Sequence, residues 1–494
     1  MLFSGSIFNR AYIKPETLGK TSTEYIADES GSRISNIPYD DYISEIDFPD
    51  GALMCSLSET SSATENTHVI QSQIDTASEN PSGGTVVVPK GKYKITTIEL
   101  KSNVTLFIPK GAELVSVNCD ENEKSDKKLG SGVVIAENAE NIAITGGGII
   151  NGCGESYTLE PEKDEPLYAL KYFNLYTRVI ESRKRLRKAK PVHRPSVIHF
   201  INCDNINVSN IILKNSAAWT FHLENCKNAE IFDFIIDNHM HVANTDGIDI
   251  SGSENIKIRH SFIATGDDGI VLKSASNPIK SVEIENCIIS SFANCFKIGT
   301  ETQKDISNVK ITDCYFFLPD GITGGYAGIA IETADGSNVS DVFVSDIKMD
   351  GICAPILVWA GNRMKYGKNR IGKIRNAEIK NITADNVELP SAINGCKGEN
   401  GNNCISNIKL ENINVKYRDT KEALSVLKKV PEHSLKDYPE ITRVAHIYFR
   451  SHEMSRYWDL PCYGLFIRNA DNVDIKNFEC IPRTVNKRSK IINT

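Results

Sequence analysis

Short runs of alternating apolar and polar residues dominate the chain from about residue 100 onward. Each run begins at or near an Asn or Asp, places Ile, Val or Phe at every second position, and ends in a polar turn. This period-two alternation predicts β-strands. Runs that start at residues 205, 228, 255, 281 and 308 lie 23 to 27 residues apart. The spacing predicts a repeated coil of roughly 25 residues.

A coil of this length cannot bury its apolar side by itself. Stacked coils form one continuous core, with neighbouring strands about 4.8 Å apart. The shared Asn-x-x-Ile start favours parallel, in-register stacking, in which Asn side chains of successive coils form amide ladders. We therefore predict an all-β fold, a single-stranded right-handed parallel β-helix.

The same pattern divides the chain into three parts. Residues 1–63 lack it and are predicted to wrap or cap the first coil. Residues 64–482 are predicted to form the β-helix. Within it, residues 64–98 predict a short helix, a Gly-Gly turn and a first strand, and the helix is expected to cover the open end of the stack. Residues 483–494 form a predicted C-terminal tail.

One segment interrupts the repeat strongly. Residues 162–190 place apolar side chains at helical spacing and then carry six basic residues, which predicts an inserted helix. Its basic end is interpreted as a solvated face, as a lid or subunit contact that lends positive charge to the cleft, or as a nucleic-acid contact. Two further excursions are predicted over residues 388–404, loop-like by their Gly and Asn content, and over residues 417–461.

The composition limits the classes of protein to which the chain can belong. The chain of 494 residues is 40% hydrophobic and 24% charged, with a net charge of −7. A mildly acidic chain argues against nucleic acid and anionic membranes as partners, since phosphate binding needs a basic surface. The sequence contains no apolar run long enough to span a membrane, and its N-terminus lacks the pattern of a secretory signal, so we expect a cytoplasmic protein. A homo-oligomer is compatible with this composition.

The 13 cysteines are scattered and form no Cys-x-x-Cys motif. Several follow Asn or Asp at a similar place in the repeat, as at positions 203, 226, 287 and 314. This recurrence predicts stacked, reduced thiols inside the coil, because free cysteine packs as a small hydrophobe.

Carboxylates gather in two turns that lie one coil apart. The first turn reads Asn-Thr-Asp-Gly-Ile-Asp over residues 244–249, and the second reads Thr-Gly-Asp-Asp-Gly over residues 265–269. Asp246 precedes Asp267 and Asp268 by 21 and 22 residues, so a β-helix stacks the three on one outer face. Their repulsion raises the pKa of at least one, which leaves one acid and one base for glycoside hydrolysis.

Two other interpretations fit the same residues. Asp followed by Gly is common in turns, since Asp hydrogen-bonds its own backbone and Gly tolerates positive φ. Clustered carboxylate oxygens also suit Ca²⁺. Two such motifs in register favour catalysis over turn structure alone.

At these residues the chain resembles glycoside hydrolase family 28, the polygalacturonases and their relatives. That family carries an Asn-Thr-Asp motif and, one coil later, an Asp-Asp motif. Both motifs stand here, and the resemblance implies a pectin-lyase-like solenoid. The matching stretches are residues 144–152, Arg194-Pro195 with the coils that follow, 244–246, 266–268 and 460–464, within a covered range of roughly 80–482.

The resemblance implies an inverting, polygalacturonase-like hydrolase that uses no metal or other cofactor. By position, Asp267 is the general acid, and Asp246 and Asp268 hold and deprotonate the attacking water. Inversion requires acid and base carboxyl groups about 6.5–9.5 Å apart, which leaves room for that water.

Two positions depart from the family pattern. The family has a Gly-His-Gly motif after the Asp pair, but Asn294 stands at the histidine position. The family also has an Arg-Ile-Lys motif that binds the galacturonate carboxylate, and here Ala330 and Glu332 replace the two basic residues. Glu332 would repel a uronate, so a neutral sugar, or a uronate held by other cations, is favoured next to the cut. The Phe-Lys-Ile-Gly-Thr-Glu stretch at 296–301 is similar to a divergent bacterial branch.

Several outward positions are candidates for substrate binding. For Lys297, Glu301 and Glu332, the alternative to substrate binding is a structural ion pair of Lys297 with Glu301 or Glu332. A scaffold role is the alternative for His222, and core packing is the alternative to sugar stacking for Trp359. The candidates are Asn244, Asp249, His222, Lys273, Lys297, Glu301, Glu332, Trp359 and Arg363.

The sequence therefore predicts a glycoside hydrolase that cleaves a pectin-derived or other plant oligosaccharide. A cytoplasmic enzyme meets imported oligosaccharides, which favours exo-action. The alternatives are a β-helix polysaccharide lyase, which would pair calcium-binding Asp residues with a basic residue, and a non-catalytic carbohydrate-binding β-helix.

Overall fold

The computed structural model describes residues 24–29, 32–117, 132–159, 189–319, 325–363, 371–398, 400–418, 449–450, 455–456, 460–482 and 487–494. Two α-helices, α1 (Tyr39–Tyr42) and α2 (Ala63–Glu79), and a 3-10 helix (Gly154–Tyr157) lie in these ranges.

Most of the described strands belong to two long sheets, and two short strands, 449–450 and 455–456, form a separate antiparallel pair. The first strands are β1 (Leu53–Met54), β2 (Gly84–Val87), β3 (Gly91–Ile95), β4 (Ile98–Glu99), β5 (Val104–Phe107), β6 (Ala112–Ser116), β7 (Gly132–Glu137), β8 (Glu140–Thr145), β9 (Ile149–Asn151) and β10 (Ser196–Ile201). The central strands are β11 (Asp204–Lys214), β12 (Phe221–Glu224), β13 (Lys227–Asp237), β14 (Ile248–Ser251), β15 (Glu254–Thr265), β16 (Ile270–Ser274), β17 (Ile279–Ser291), β18 (Phe296–Thr302), β19 (Ile306–Phe317) and β20 (Ala327–Thr333). The last strands are β21 (Asn338–Asp350), β22 (Ala354–Ala360), β23 (Lys373–Val387), β24 (Ser391–Asn394), β25 (Ile405–Tyr417), β26 (Phe449–Arg450), β27 (Ser455–Arg456), β28 (Cys462–Arg468), β29 (Ala470–Ile481) and β30 (Ser489–Asn493).

Sheet A has 16 strands and sheet B has 12. Sheet A runs β1-β2-β5-β8-β11-β13-β15-β17-β19-β21-β23-β25-β29 with β3, β6 and β9 beside it, and sheet B runs β4-β7-β10-β12-β14-β16-β18-β20-β22-β24-β28-β30. From β10 to β25 each coil contributes one strand to each sheet, and the paired strands are parallel. Parallel crossovers are right-handed. The predicted all-β parallel β-helix is confirmed.

The core is a set of in-register apolar ladders. One ladder joins residues of five successive sheet A strands, all of them buried. Each member packs on its equivalent one coil away, which is how a single repeat buries a face that it cannot bury by itself. The ladder consists of Ile206, Ala229, Ile256, Val282 and Val309.

Asn residues form the corners that begin the sheet A strands. Asn205, Asn228 and Asn255 have φ of 53°, 51° and 58°, in the left-handed region where Asn is favoured over other L-residues. Their amides also bridge coils: Asn205 Nδ2 donates to Asn141 Oδ1 at 2.6 Å, and Asn255 Nδ2 donates to Asn228 Oδ1 at 2.5 Å. The predicted amide ladder is confirmed.

Cysteines of the repeat point inward. Cys203, Cys226, Cys287 and Cys314 are buried members of the main core. The twelve cysteines that lie in the described ranges are free thiols. The prediction of interior thiols is therefore confirmed for these positions.

Helix α2 closes the N-terminal end of the stack, as the sequence predicts for residues 64–98. Ser62 and Glu65 form a capping box at its start, which satisfies two of the backbone donors that a helix leaves open. Ile70 and Ile74 are fully buried on its inner face and belong to the main core. None of the helices that the structure describes is long and apolar enough to cross a membrane.

The N-terminal segment runs along the outer face of sheet A. Tyr25 stacks on Phe317 with ring centroids 4.4 Å apart and contacts Phe262 at 5.6 Å. Tyr42 stacks on His260 at 4.9 Å. This strap, residues 24–29 and 32–48, covers a second apolar cluster outside the coil.

The sheets extend past the predicted boundaries at both ends. Strand β1 lies in the segment predicted as a wrap, and β30 lies in the predicted tail. Residues 388–404 are only partly a loop, because Ala392 and Ile393 complete a coil of sheet B as part of β24. The predicted inserted helix over 162–190 and the excursion over 417–461 fall almost entirely outside the described residues.

Candidate active site

The three aspartates converge at two stacked turns. Asp246 lies just before β14, and Asp267 and Asp268 lie just before β16. Gly247 N donates to Asp268 O at 2.9 Å, which fixes one turn on the other. One carboxylate oxygen of each aspartate lies within 4.8 Å of the others. The sequence prediction that these three residues meet on one face agrees with this geometry.

Glycine is required beside these carboxylates because the backbones approach closely. A Cβ on Gly247 would lie 2.4 Å from Gly269 O, and a Cβ on Gly269 would lie 2.4 Å from Cys295 O. The Asp-Gly pairs therefore serve both a turn and a tight contact between coils. Turn structure and the acidic cluster are properties of the same residues.

Asp267 has the environment of an acid. Burial and the neighbouring Asp246 and Asp268 carboxylates raise the pKa of Asp267 to about 8, against the lowering effect of Lys297. Two backbone amides donate to it, from Asn244 at 3.1 Å and Asp268 at 3.0 Å; such donors favour the ionised form, so the rise is the net result. Asp267 is also the most exposed of the three aspartates.

Two buried lysines supply the countercharge. Lys273 Nζ lies 3.0 Å from Asp246 Oδ2 and also contacts Asp249. Burial by itself would lower the pKa of Lys273, but the Asp246 and Asp249 carboxylates outweigh it and the net pKa is raised. Lys297 Nζ lies 3.0 Å from Asp268 Oδ2. Burial raises the pKa of Asp246, and Lys273 opposes that rise.

These contacts bear on the two interpretations that the sequence left open for Lys297, substrate contact and an ion pair with Glu301 or Glu332. Lys297 is buried and forms an ion pair with Asp268, which neither interpretation included. Both lysines are buried and pair with carboxylates of the two turns.

Asn294 completes the cage around Asp268. Its Nδ2 donates to Asp268 Oδ1 at 2.7 Å, and its backbone N donates to the same oxygen at 3.2 Å. Its own Oδ1 accepts from Ala327 N at 3.1 Å. The residue at the family's histidine position is thus a direct partner of a candidate catalytic carboxylate.

Asn244 lies at the rim of the site and is exposed. Its Oδ1 accepts from Arg194 Nη2 at 2.8 Å, and Arg194 Nη1 donates to Ala217 O at 3.1 Å and Ala243 O at 2.8 Å. Burial lowers the pKa of Arg194, and the Asp246 and Asp267 carboxylates oppose that effect. Arg194 is therefore a cation of the site that the sequence prediction did not include; its motif with Pro195 was the available signal.

A cluster of aromatic side chains, His199, Trp219 and His222, lies beside the aspartates in the preceding coils. His222 stacks on His199 at 4.3 Å, meets the Trp219 edge at 4.8 Å, and its Nε2 lies 2.9 Å from Ser251 Oγ. Burial, His199 and Lys273 hold the pKa of His222 well below its usual range. Lys273 Nζ lies 3.8 Å from the Trp219 ring centroid. Trp219, partly exposed, is the tryptophan that borders the aspartates, although the sequence prediction named Trp359.

The opposite half of the outer face of sheet B is closed. Glu332 and Trp359 are in register on adjacent strands and are 0% and 1% exposed. Trp359 belongs to an apolar cluster on this face, so the structure favours packing for its ring over sugar stacking. Glu301 and Arg363 form an ion pair at 3.2 Å, and Arg363 also pairs with Asp335.

Among the residues that the structure describes, two groups of side chains have donors close enough for a metal ion. One is the aspartate trio, where Lys273 and Lys297 already occupy carboxylate oxygens that an ion would need. The other is His199, His222 and Glu224. The two imidazole planes there are nearly parallel, 17° apart, so their in-plane lone pairs do not converge on one tetrahedral centre.

A parallel β-helix that stacks three carboxylates beside partly exposed aromatic and polar side chains is a fold and a site suited to carbohydrate cleavage. The sequence matches the family described as "Glycosyl hydrolases family 28" over residues 79–434. The chain belongs to glycosyl hydrolase family 28.

Individual relatives point the same way. The chain is 27% identical to a polygalacturonase of Gossypium hirsutum over 361 residues, 71% of this chain and 79% of that protein. It is 26% identical to polygalacturonase QRT2 of Arabidopsis thaliana over 281 residues, 55% of this chain and 56% of that protein. With some relatives the chain therefore aligns over little more than half of their length.

Solved structures share the fold. A family 28 exopolygalacturonase of Yersinia enterocolitica superposes with a TM-score of 0.60 at 16% identity, over 90% of this chain and 78% of that one. An exopolygalacturonase of Thermotoga maritima gives 0.59 at 19% identity, over 77% and 90%.

Proposed function

We propose that this protein is a polygalacturonase-like hydrolase that cleaves a glycosidic bond in a pectin-derived or other plant oligosaccharide. The observation that carries the proposal is the stacked trio of carboxylates in which Asp267 has a pKa of about 8 while Asp246 and Asp268 are paired with ammonium groups. One acid that keeps its proton at neutral pH beside two carboxylates that are paired with ammonium groups is the division that glycoside hydrolysis needs.

In this proposal Asp267 protonates the departing glycosidic oxygen, and Asp246 and Asp268 hold the attacking water. Inversion at the anomeric carbon follows if the water attacks from the side opposite to the leaving group. One carboxylate oxygen of each aspartate lies within 4.8 Å of the others. The separation of about 6.5–9.5 Å that inversion needs is measured between whole carboxyl groups, so it is a different distance. NMR of the first-formed product tests this point: an anomer of unchanged configuration would refute inversion.

The sugar next to the cut is proposed to be neutral. Ala330 and Glu332 stand where the resemblance places the basic residues that hold a galacturonate carboxylate. Lys297, the neighbouring cation, is paired with Asp268. With Ala330 in place of a basic residue and Lys297 already paired, a carboxylate on that sugar would lack the cations that the family pattern supplies there, which disfavours it.

Exo-action is proposed from the asymmetry of the outer face of sheet B. On one side of the aspartates lie the polar, partly accessible His199 and Trp219. On the other side Leu357, Trp359 and Phe466 are buried in an apolar cluster. A surface with accessible side chains on one side of the aspartates and buried ones on the other would accept a chain end more readily than the middle of a polymer. Rapid loss of viscosity before release of small products would count against exo-action.

A cytoplasmic location and a freely diffusing oligosaccharide partner remain proposals. Free, buried thiols such as Cys226 and Cys314 support a reducing compartment. Cell fractionation with an antibody against the chain would test the location.

The deciding experiment is a screen of the purified protein on pectin-derived and other plant oligosaccharides beside Asp267→Asn, with products identified by mass spectrometry. Products that gain one water, and that disappear in the variant, support hydrolysis. An unsaturated product that lacks the water would support a lyase, and binding without turnover by both proteins would support a carbohydrate-binding module.

A further inference from the structure

The two carboxylates proposed to hold the water are not equivalent. Both oxygens of Asp268 are occupied: Oδ2 by Lys297 at 3.0 Å and Oδ1 by the Asn294 amide at 2.7 Å. Asn294 is itself fixed by Ala327, and all three polar side chains are buried. Oδ2 keeps one acceptor position that can orient a water molecule, but a proton at that oxygen would lie beside the Lys297 ammonium group, which disfavours it.

Asp246 is held on one side only. Its Oδ2 receives Lys273 at 3.0 Å. Its Oδ1 is buried and accepts no hydrogen bond from the residues that the structure describes. A buried carboxylate oxygen that lacks a donor is costly, and a water molecule between the aspartates would relieve that cost. Oδ1 is therefore the oxygen of this pair that has room for a proton.

We propose that Asp246, through Oδ1, is the base that takes the proton of the attacking water, and that Lys297 and Asn294 are positioning residues that keep Asp268 as an orienting acceptor. The inference rests on the proposed function. As the water oxygen bonds to the anomeric carbon, the bond to the leaving sugar breaks. Asp267 gives its proton to the departing oxygen, and the water gives its proton to Asp246 Oδ1.

The charge of Lys297 also acts on the two other aspartates. It lowers the pKa of both Asp246 and Asp267. The other charged groups that face this point come from the neighbouring coils. They are Asp249, Asp268, Lys273, Glu301 and Arg194.

Loss of the Lys297 charge therefore shifts the pH profile of activity in a defined direction. Activity needs Asp246 ionised and Asp267 protonated, so it rises through the pKa of Asp246 and falls through that of Asp267. Removal of a nearby cation raises both pKa values. Both limbs of the pH profile of kcat/KM should move to higher pH in Lys297→Met, together with a loss of kcat of about tenfold to a hundredfold, near the lower end of what positioned acid–base groups contribute.

Lys257→Met is the matched control, because Lys257 is exposed on the outer face of β15. It should keep the wild-type profile. Lys297→Gln serves as a second variant if Lys297→Met does not fold, as judged by circular dichroism. A folded Lys297 variant whose two limbs stay at the wild-type pH would overturn the role of Lys297.

Rescue by azide distinguishes the role of Asp246 from that of Asp268. An anionic nucleophile needs no base, so azide should restore turnover to Asp246→Ala and yield a glycosyl azide. Asp268→Ala should gain little, because its defect is in orientation. Restoration of Asp268→Ala alone, or of both variants equally, would overturn the assignment of Asp246. If instead Asp267→Asn turns over as fast as wild type, the hydrolase proposal itself fails, whatever azide does.

Discussion

Asp267→Asn should stabilise the fold while it abolishes turnover. The folded protein holds the pKa of Asp267 at about 8, whereas the ordinary value is 3.8. At pH 7 the unfolded chain has released this proton and the folded protein has not. The difference spans about three pH units at about 1.4 kcal/mol each, so Asp267 destabilises the native state by about 4 kcal/mol at pH 7.

Asparagine removes this penalty but introduces a smaller one. Asp267 accepts one backbone N–H at each oxygen, from Asn244 and from Asp268. An amide offers only one acceptor, so one of these donors would face an NH₂ group at a cost of about 1–3 kcal/mol. The net gain in the free energy of unfolding at pH 7 is therefore expected to be about 1–3 kcal/mol.

The sign of the pH dependence follows from the raised pKa. The contribution of Asp267 to stability is fully present below about pH 4 and is lost as pH rises towards 8. The advantage of the variant should accordingly be absent in acid and largest above pH 8. Urea unfolding at several pH values measures it, with Asp47→Asn, at an exposed position, as the control.

Activity provides the second half of the test. Loss of the general acid should lower kcat/KM by about 10²–10⁴-fold. A correctly folded variant that is less stable than wild type at pH 8.5 would refute the electrostatic account of Asp267, even if activity is lost.

Three further outcomes are expected. The wild-type kcat/KM should fall about tenfold per pH unit above about pH 8, as Asp267 loses its proton; steady-state rates across pH measure this. Trp219→Ala should raise KM, whereas Trp359→Ala, at a buried position, should instead lower the free energy of unfolding by about 3–5 kcal/mol; kinetics and urea unfolding of both variants separate the two roles. Phe262→Ala, which empties the contact under the strap, should destabilise by a similar amount and leave kcat unchanged.

The sequence could predict the coil and the aspartate trio because both depend on short-range rules. The Asn corners repeat at one coil length and adopt a backbone conformation that Asn tolerates, so their ladder follows from spacing. Asp246 and Asp267 stack because a parallel coil returns to the same place after 21 residues.

The partners of the lysines could not be predicted in the same way. Whether Lys297 reaches Asp268, one coil back, or Glu332, one coil ahead, depends on the lateral offset between turn and strand, which spacing does not encode. The burial of the Trp359 side chain could not be predicted either, because distant parts of the chain decide what covers it. Tertiary packing covers Trp359 and leaves Trp219 partly exposed.

The position of the aspartates in the stack has a consequence for folding. Strands β14 and β16, which follow the three aspartates, are the fifth and sixth of the twelve in sheet B, counted from β4. In a linear stack each coil contacts only its neighbours, so opening begins at the ends and must cross several interfaces to reach the middle. Fraying of terminal coils therefore leaves the carboxylate geometry intact, and hydrogen exchange should proceed inward from both ends, with amides near Asp246 among the last to exchange.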